Sequence, residues 1–109
     1  MGYAVSDTYA YGFDMDLRDD KGVLVASIGV RDARGENAER THDRYTPGLH
    51  HIAWNAESPA DVDALYALLQ RIGARVLDPP AAYPRYGEGY YAVFFADPDG
   101  LKLEYVYKP

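Results

Sequence analysis

The sequence predicts an α+β fold: one complete βαβββ module preceded by a β-hairpin remnant of a second module. Three observations carry this. One strongly patterned helix sits between an apolar strand and three later strands. The last hairpin has a weaker echo near the start of the chain, at a constant offset of 78 residues that places Gly22 on Gly100. Between the two lies RDARGENAERTHDRYTPG, which is polar and aperiodic and reads as a linker. The result is a single domain, with 1–31 as a truncated first module, 32–47 as linker and 48–109 as the complete module.

Taken in order, the first half contains GFDMDLRDDKGVLVASIGV. Phe13, Met15 and Leu17 alternate with polar residues, the pattern of a strand with one wet face. RDDKG falls on the later ADPDG, Val23 on Leu101 and Val25 on Leu103. Val23, Val25 and Ile28 add apolar surface, and Leu24 with Ala26 is assigned to the opposite side. The offset puts the counterpart of His51 before Met1, so this first repeat keeps about three strands and lacks an opening strand and helix. In the linker, His42 of THDRY reads as a solvated loop residue, and the acidic runs DLRDD and RDARGE as solvated turns.

GLHHIAW opens the second half, with a strand over His50–Ala56. Neighbouring side chains on a strand point to opposite faces, so the two imidazoles cannot share one site. His50 goes with Ile52 and Trp54 toward the helix; His51 goes with Ala53 and Asn55. The helix lies in ESPADVDALYALLQRIGA. Ser58 is the N-cap, Pro59 suits the first helical position and Asp61 the acidic place of a capping box. Val62, Leu65, Leu69 and Ile72 recur at helical spacing, and Gly73 ends the run. A short strand Ala74–Leu77, a Pro-rich DPP turn and the loop AAYPRYGEG follow. Two apolar strands around DPDG then close the chain. If that turn spans four residues, Tyr91, Val93 and Phe95 share a face with Glu104 and become cavity-wall candidates, or simply core.

Composition narrows the function. A formal charge of −6 argues against nucleic acid, whose phosphates need a basic surface. No run of 18 apolar residues and no signal-like start predict a soluble protein without membrane contact, cytoplasmic by default. Zero cysteines exclude disulfides, thiolate catalysis and zinc–sulfur sites. Eleven tyrosines suggest half-buried rings at pocket rims or interfaces.

GLHHIAW, the helix ending RIGA, AAYPRYGEGYYAVFFADPDG and LKLEYVY together resemble the glyoxalase/bleomycin-resistance/extradiol dioxygenase superfamily, the vicinal oxygen chelate proteins. The resemblance is strong over about residues 46–108 and weaker over 2–31. It implies paired βαβββ modules, each a curved mixed sheet with the helix on its convex face and a metal or ligand cavity in its concave one. It also implies a His ligand from the first strand and a Glu ligand from the last. Those positions are His51 and Glu104, with Glu104 catalytic as well, and the implied cofactor is a divalent metal ion (Zn, Fe, Ni, Mn or Co). Such a metal polarises a substrate oxygen. Ala26 stands where the first module would match Glu104, and it cannot bind metal. One chain therefore offers two protein ligands where three are usual for a catalytic ion.

Two functions are expected from this. One is a metal-dependent lyase or dioxygenase acting on a small oxygenated substrate, with Tyr91, Val93, Phe95, Arg85 and Tyr86 around it. The other is a metal-free binding protein of the bleomycin-resistance kind, with a tyrosine-lined groove at a dimer interface. A truncated module with no chemistry is the third possibility. Within the residues alone, His51 also reads as a buried hydrogen-bonded histidine, Glu104 as a salt-bridge partner of Lys102, and Arg85 with the nearby tyrosines as a dimer contact. A homodimer is expected, because a hairpin with an apolar face (Phe13, Met15, Leu17) cannot bury that face alone.

Overall fold

Two sheets carry the chain, each in its own unit, Met1–Glu39 and Arg40–Pro109. The structure, a computed structural model, describes residues 1–109. No helix is long and apolar enough to cross a membrane.

In the first unit, β1 (Ala4–Tyr9), β2 (Gly12–Arg18) and β3 (Leu24–Arg31) form an antiparallel sheet in that order. The hairpin is therefore extended by a third strand. AVSDTY has no clean alternation, so pattern alone gives it little strand signal; pairing with β2 through Val5↔Met15 and Thr8↔Phe13 fixes it. Cross-strand partners share a face, which gathers Phe13, Met15, Leu17, Ala26, Ile28 and Val30 on one side. Ala26 is thus on the apolar face opposite Leu17, not on the far side with Leu24. The cause is a register shift between Leu17 and Arg18, since a one-residue slip reverses facing. On the other face the Tyr9 hydroxyl donates to Asp14 at 2.6 Å, and Arg31 pairs with the same carboxylate at 2.8 Å. The Tyr9 hydroxyl first, then Arg31, holds Asp14 below the usual carboxylate range. Tyr9 itself is pushed up to about 12, chiefly by that hydrogen bond.

The second unit contains β4 (His51–Asn55), α1 (Pro59–Arg71), β5 (Arg75–Ala82), a 3-10 turn at Pro84–Tyr86, β6 (Tyr91–Ala96) and β7 (Lys102–Tyr107). Its sheet order is β4-β7-β6-β5, with β4 parallel to β7 and the other pairs antiparallel. The offset between the two hairpins survives in the structure: β2 ends at Arg18 and β6 at Ala96, β3 begins at Leu24 and β7 at Lys102.

The helix starts where the side-chain chemistry places it. Ser58 Oγ accepts from the Asp61 N–H at 3.2 Å, Pro59 begins the first turn, and Gly73 leaves the helix at φ +72, a conformation glycine adopts without strain. Val62 and Leu69 bury against Val93, Phe95 and Tyr105, with Trp54 and Leu65 packed on the same cluster. The opposite sheet face buries Ala92, Phe94 and Val106 beneath Leu77, Tyr83 and Tyr90.

Three expectations need correction. β5 does not stop at Leu77 but runs through Asp78, Pro79 and Pro80 with two register shifts; as an edge strand with bulges it tolerates prolines, whose missing N–H costs no ladder bond there. His50 lies outside β4 and is exposed, so strand alternation does not carry it under the helix. Tyr91, Val93 and Phe95 do not share a face with Glu104. The connection between β6 and β7 is one residue longer than four: Ala96 pairs with Lys102, and Phe94 with Glu104. The Asp97 carboxylate accepts from the N–H of Asp99 and of Leu101, which draws Leu101 into the turn.

Candidate functional site

Register sets the site. His51 pairs with Lys102 and Ala53 with Glu104 across the parallel β4–β7 ladder, while Phe94 opposes Glu104 across β6–β7. All of these lie on the face away from the helix. His50, His51, Tyr86, Tyr90, Phe94, Lys102 and Glu104 line a cavity of about 260 Å³ there.

Glu104 is 3% exposed, the one charged residue in the buried set. A carboxylate in such surroundings requires partners, and it has two. Its Oε2 lies 3.1 Å from His51 Nε2, and the Tyr90 hydroxyl donates a short bond to Oε1. Burial first, and then that bond, pushes the Tyr90 phenol well above its usual range. His51 Nδ1 is 2.7 Å from His50 Nδ1. A neutral His51 has one N–H; directed by the carboxylate to Nε2, it leaves Nδ1 to accept from His50. Partial desolvation first, then repulsion from His51 whenever it is protonated and from Lys102 and Arg44, holds His50 below the usual imidazole range. The Lys102 ammonium sits 4.5 Å from the centre of the Phe94 ring. Tyr86 and Tyr90 close the cavity edge-to-face at 5.4 Å.

Ligands around a metal with bonds of about 2.0–2.2 Å stand roughly 2.8–3.1 Å apart at right angles and roughly 3.3–3.6 Å apart in a tetrahedron. His51 Nε2 and Glu104 Oε2 are 3.1 Å apart, joined by a direct hydrogen bond. Each also has an outer neighbour, Tyr90 at Glu104 Oε1 and His50 at His51 Nδ1; with an ion on Nε2, His51 would carry its proton on Nδ1 and donate it toward His50. An imidazole and a carboxylate at this spacing would supply two of an ion's ligands. No group of three or more His, Asp or Glu side chains gathers around one point.

Of the residues expected at the site, the structure brings together His51, Glu104 and Tyr86. Val93 and Phe95 pack in the core under the helix, and Tyr91 donates to Asp63 of α1 at 2.7 Å. Arg85 is exposed and donates to the Tyr86 hydroxyl at 2.8 Å, so it touches the site only through that ring. His42 is half-buried rather than solvated, with Nε2 donating to the Leu49 carbonyl at 2.9 Å. Reasoning from the sequence missed Tyr90, Phe94 and the turn of His50 into the cavity; it put Lys102 on the face of Glu104, but as a salt-bridge partner, a place that His51 takes. Counting Leu101 in the turn would have found the first two.

This architecture has known relatives. The family model described as the glyoxalase/bleomycin resistance protein/dioxygenase superfamily matches residues 6–105. The chain belongs to that superfamily. Among curated proteins, an uncharacterised protein of Bacillus subtilis, YqjT, is 41% identical over 68 residues, which are 62% of this chain and 53% of the relative. The chain thus spans about half the length of that curated relative. A candidate glyoxalase from Bacillus halodurans superposes with a TM-score of 0.74 at 26% identity, over 98% of this chain and 76% of the other. A glyoxalase/bleomycin resistance protein/dioxygenase domain from Frankia sp. EAN1pec gives 0.65 at 22% identity, over 98% and 77%. At that identity the likeness speaks for the superfamily fold alone.

Proposed function

We propose that the chain is a metal-dependent lyase or dioxygenase of the glyoxalase superfamily acting on a small oxygenated substrate. One observation carries the reading: the buried Glu104 carboxylate and His51 Nε2 stand 3.1 Å apart at the edge of a cavity, each braced from behind. His51 and Glu104 are the ligands this chain contributes, and Zn, Fe, Ni, Mn or Co suits an imidazole–carboxylate pair. When bound, the ion polarises a substrate oxygen. Tyr90 keeps Glu104 oriented, His50 fixes the His51 ring, and Lys102 adds positive charge beside the cavity. Tyr86 and Phe94 supply apolar walls against which a small substrate is held. Calorimetric titration of nickel or manganese tests this. Stoichiometric binding, lost in His51→Ala and in Glu104→Gln with the fold retained, supports the reading; binding unchanged in both removes it.

The second reading, a metal-free binding protein, draws on the ring cluster Tyr83, Tyr86, Tyr90 and Phe94 beside the Glu104 carboxylate. Those groups suit an aromatic cation. Under it, such a ligand binds the metal-stripped protein and nickel does not.

For either reading we propose a homodimer. Val5, Val23, Leu24, Val25 and Val30 of the first unit are all more than 40% exposed, and a three-stranded sheet with apolar surface in water is a liability proteins cover. Light scattering at micromolar concentration is expected to give twice the chain mass of 12.2 kDa; a stable monomer overturns the dimer.

A further inference from the structure

A second cavity, larger than the first, lies in the Arg40–Pro109 unit and shares no residue with the His51–Glu104 site. It is a half-open cavity of about 970 Å³, at the top of the usual range for small-molecule sites. Leu69, Leu77, Phe95 and Leu103 line it, and Arg44 and Arg75 are the cations in its wall. One wall is the loop around His42, pinned by the His42 N–H donating to the Asp99 carbonyl at 2.7 Å.

The charges in this wall are unequal in availability. Asp97 and Asp43 also line the cavity, but their carboxylates are taken up by turn backbone. Asp97 accepts from the N–H groups of Asp99 and Leu101, at 2.9 and 2.8 Å, and Asp43 from Tyr45 at 2.9 Å. Neither guanidinium has an ion-pair partner, since the chain's ion pairs are Arg18–Asp16, Arg31–Asp14 and His51–Glu104. The Arg44 guanidinium rests 5.0 Å from the centre of the Tyr45 ring, a contact that leaves its N–H donors without a charged acceptor. Apolar walls and two unpaired guanidinium groups define complementarity to one kind of molecule.

We propose that this cavity binds a small amphiphilic anion, its carboxylate or similar head on Arg44 and Arg75 and its apolar body against Leu69, Leu77, Phe95 and Leu103. The inference is independent of the metal reading. Decanoate is the probe, titrated into the intact protein and followed by amide chemical shifts and calorimetry, with decanol as the uncharged comparison. The expected result is saturable one-to-one binding that shifts the amides of Gly73 and Gly100. Affinity should fall at least tenfold for decanol, and at least tenfold for decanoate in Arg44→Gln and Arg75→Gln. The decanol comparison uses the unaltered chain, so it stands even where a variant misfolds. Equal affinity for decanoate and decanol, shifts confined to His51 and Lys102, or no saturable binding at millimolar decanoate would each overturn the proposal.

Discussion

Replacing Tyr90 by phenylalanine removes one hydroxyl and nothing else, yet that hydroxyl is one of two groups holding a buried carboxylate. Glu104 is 3% exposed, so only water inside the cavity it lines could replace the missing donor at Oε1. His51 remains on Oε2 at 3.1 Å, which leaves the charge half-satisfied. Hydrogen bonds to charged groups contribute about 1.5–3 kcal/mol, and the low exposure of Glu104 places this one in the upper half of that range. The expected loss is therefore about 2–3 kcal/mol, read from urea denaturation of metal-free protein at neutral pH. Glu104→Gln supplies the control, because an amide in that place no longer needs a charge-assisted donor. In Glu104→Gln, the further change Tyr90→Phe should cost about 1 kcal/mol or less, giving a coupling of at least 1 kcal/mol for residues in contact. A Tyr90→Phe cost below about 0.5 kcal/mol, or full additivity with Glu104→Gln, would refute the claim that Tyr90 supports the carboxylate.

Two further predictions follow from the same packing and charge arguments. Phe95→Ala empties a ring that is 6% exposed beneath α1, so stability should fall by about 3–5 kcal/mol while metal affinity holds; a loss below about 1 kcal/mol would mean the ring is not in the core. Asp14 is held below the usual carboxylate range by Tyr9 and Arg31, so its stabilising contribution is present above its unfolded value, about 3.9, and lost as pH falls through the lowered folded value. The gap in melting temperature between the wild type and Asp14→Asn should close in acid, and a gap that stays constant from pH 7 to pH 2 would show that the ionic network contributes nothing.

Much of the second unit is legible in the sequence because its signals are local. The N-cap at Ser58, the spacing of Val62 and Leu69 and the exit at Gly73 define a helix without tertiary information. His51 and Glu104 were paired through the superfamily resemblance, with Glu104 in mid-strand and His51 opening β4. What escaped depends on register. The walls were misassigned because one residue, Leu101, belongs to the turn and not to the strand, and period-two geometry turns that single count into a reversed face. The same mechanism, a shift after Leu17, reversed Ala26. Prolines in β5 suppressed a strand signal that an edge position permits. The larger cavity was illegible because Arg44 and Arg75 lie far apart in sequence, and only the folded chain brings them to one wall.

The central claim is that His51 and Glu104 jointly hold a divalent ion, and the ring nitrogens of the three histidines report on it directly. Long-range nitrogen–proton correlation spectra recorded during a zinc titration should show the His51 Nε2 resonance leave the protonated position and take the shift of a metal-bound nitrogen. His42, already donating to the Leu49 carbonyl, should not move. The change at His51 should disappear in Glu104→Gln. A His51 ring whose Nε2 stays protonated at saturating zinc, or a spectrum in which His42 responds and His51 does not, would contradict the account.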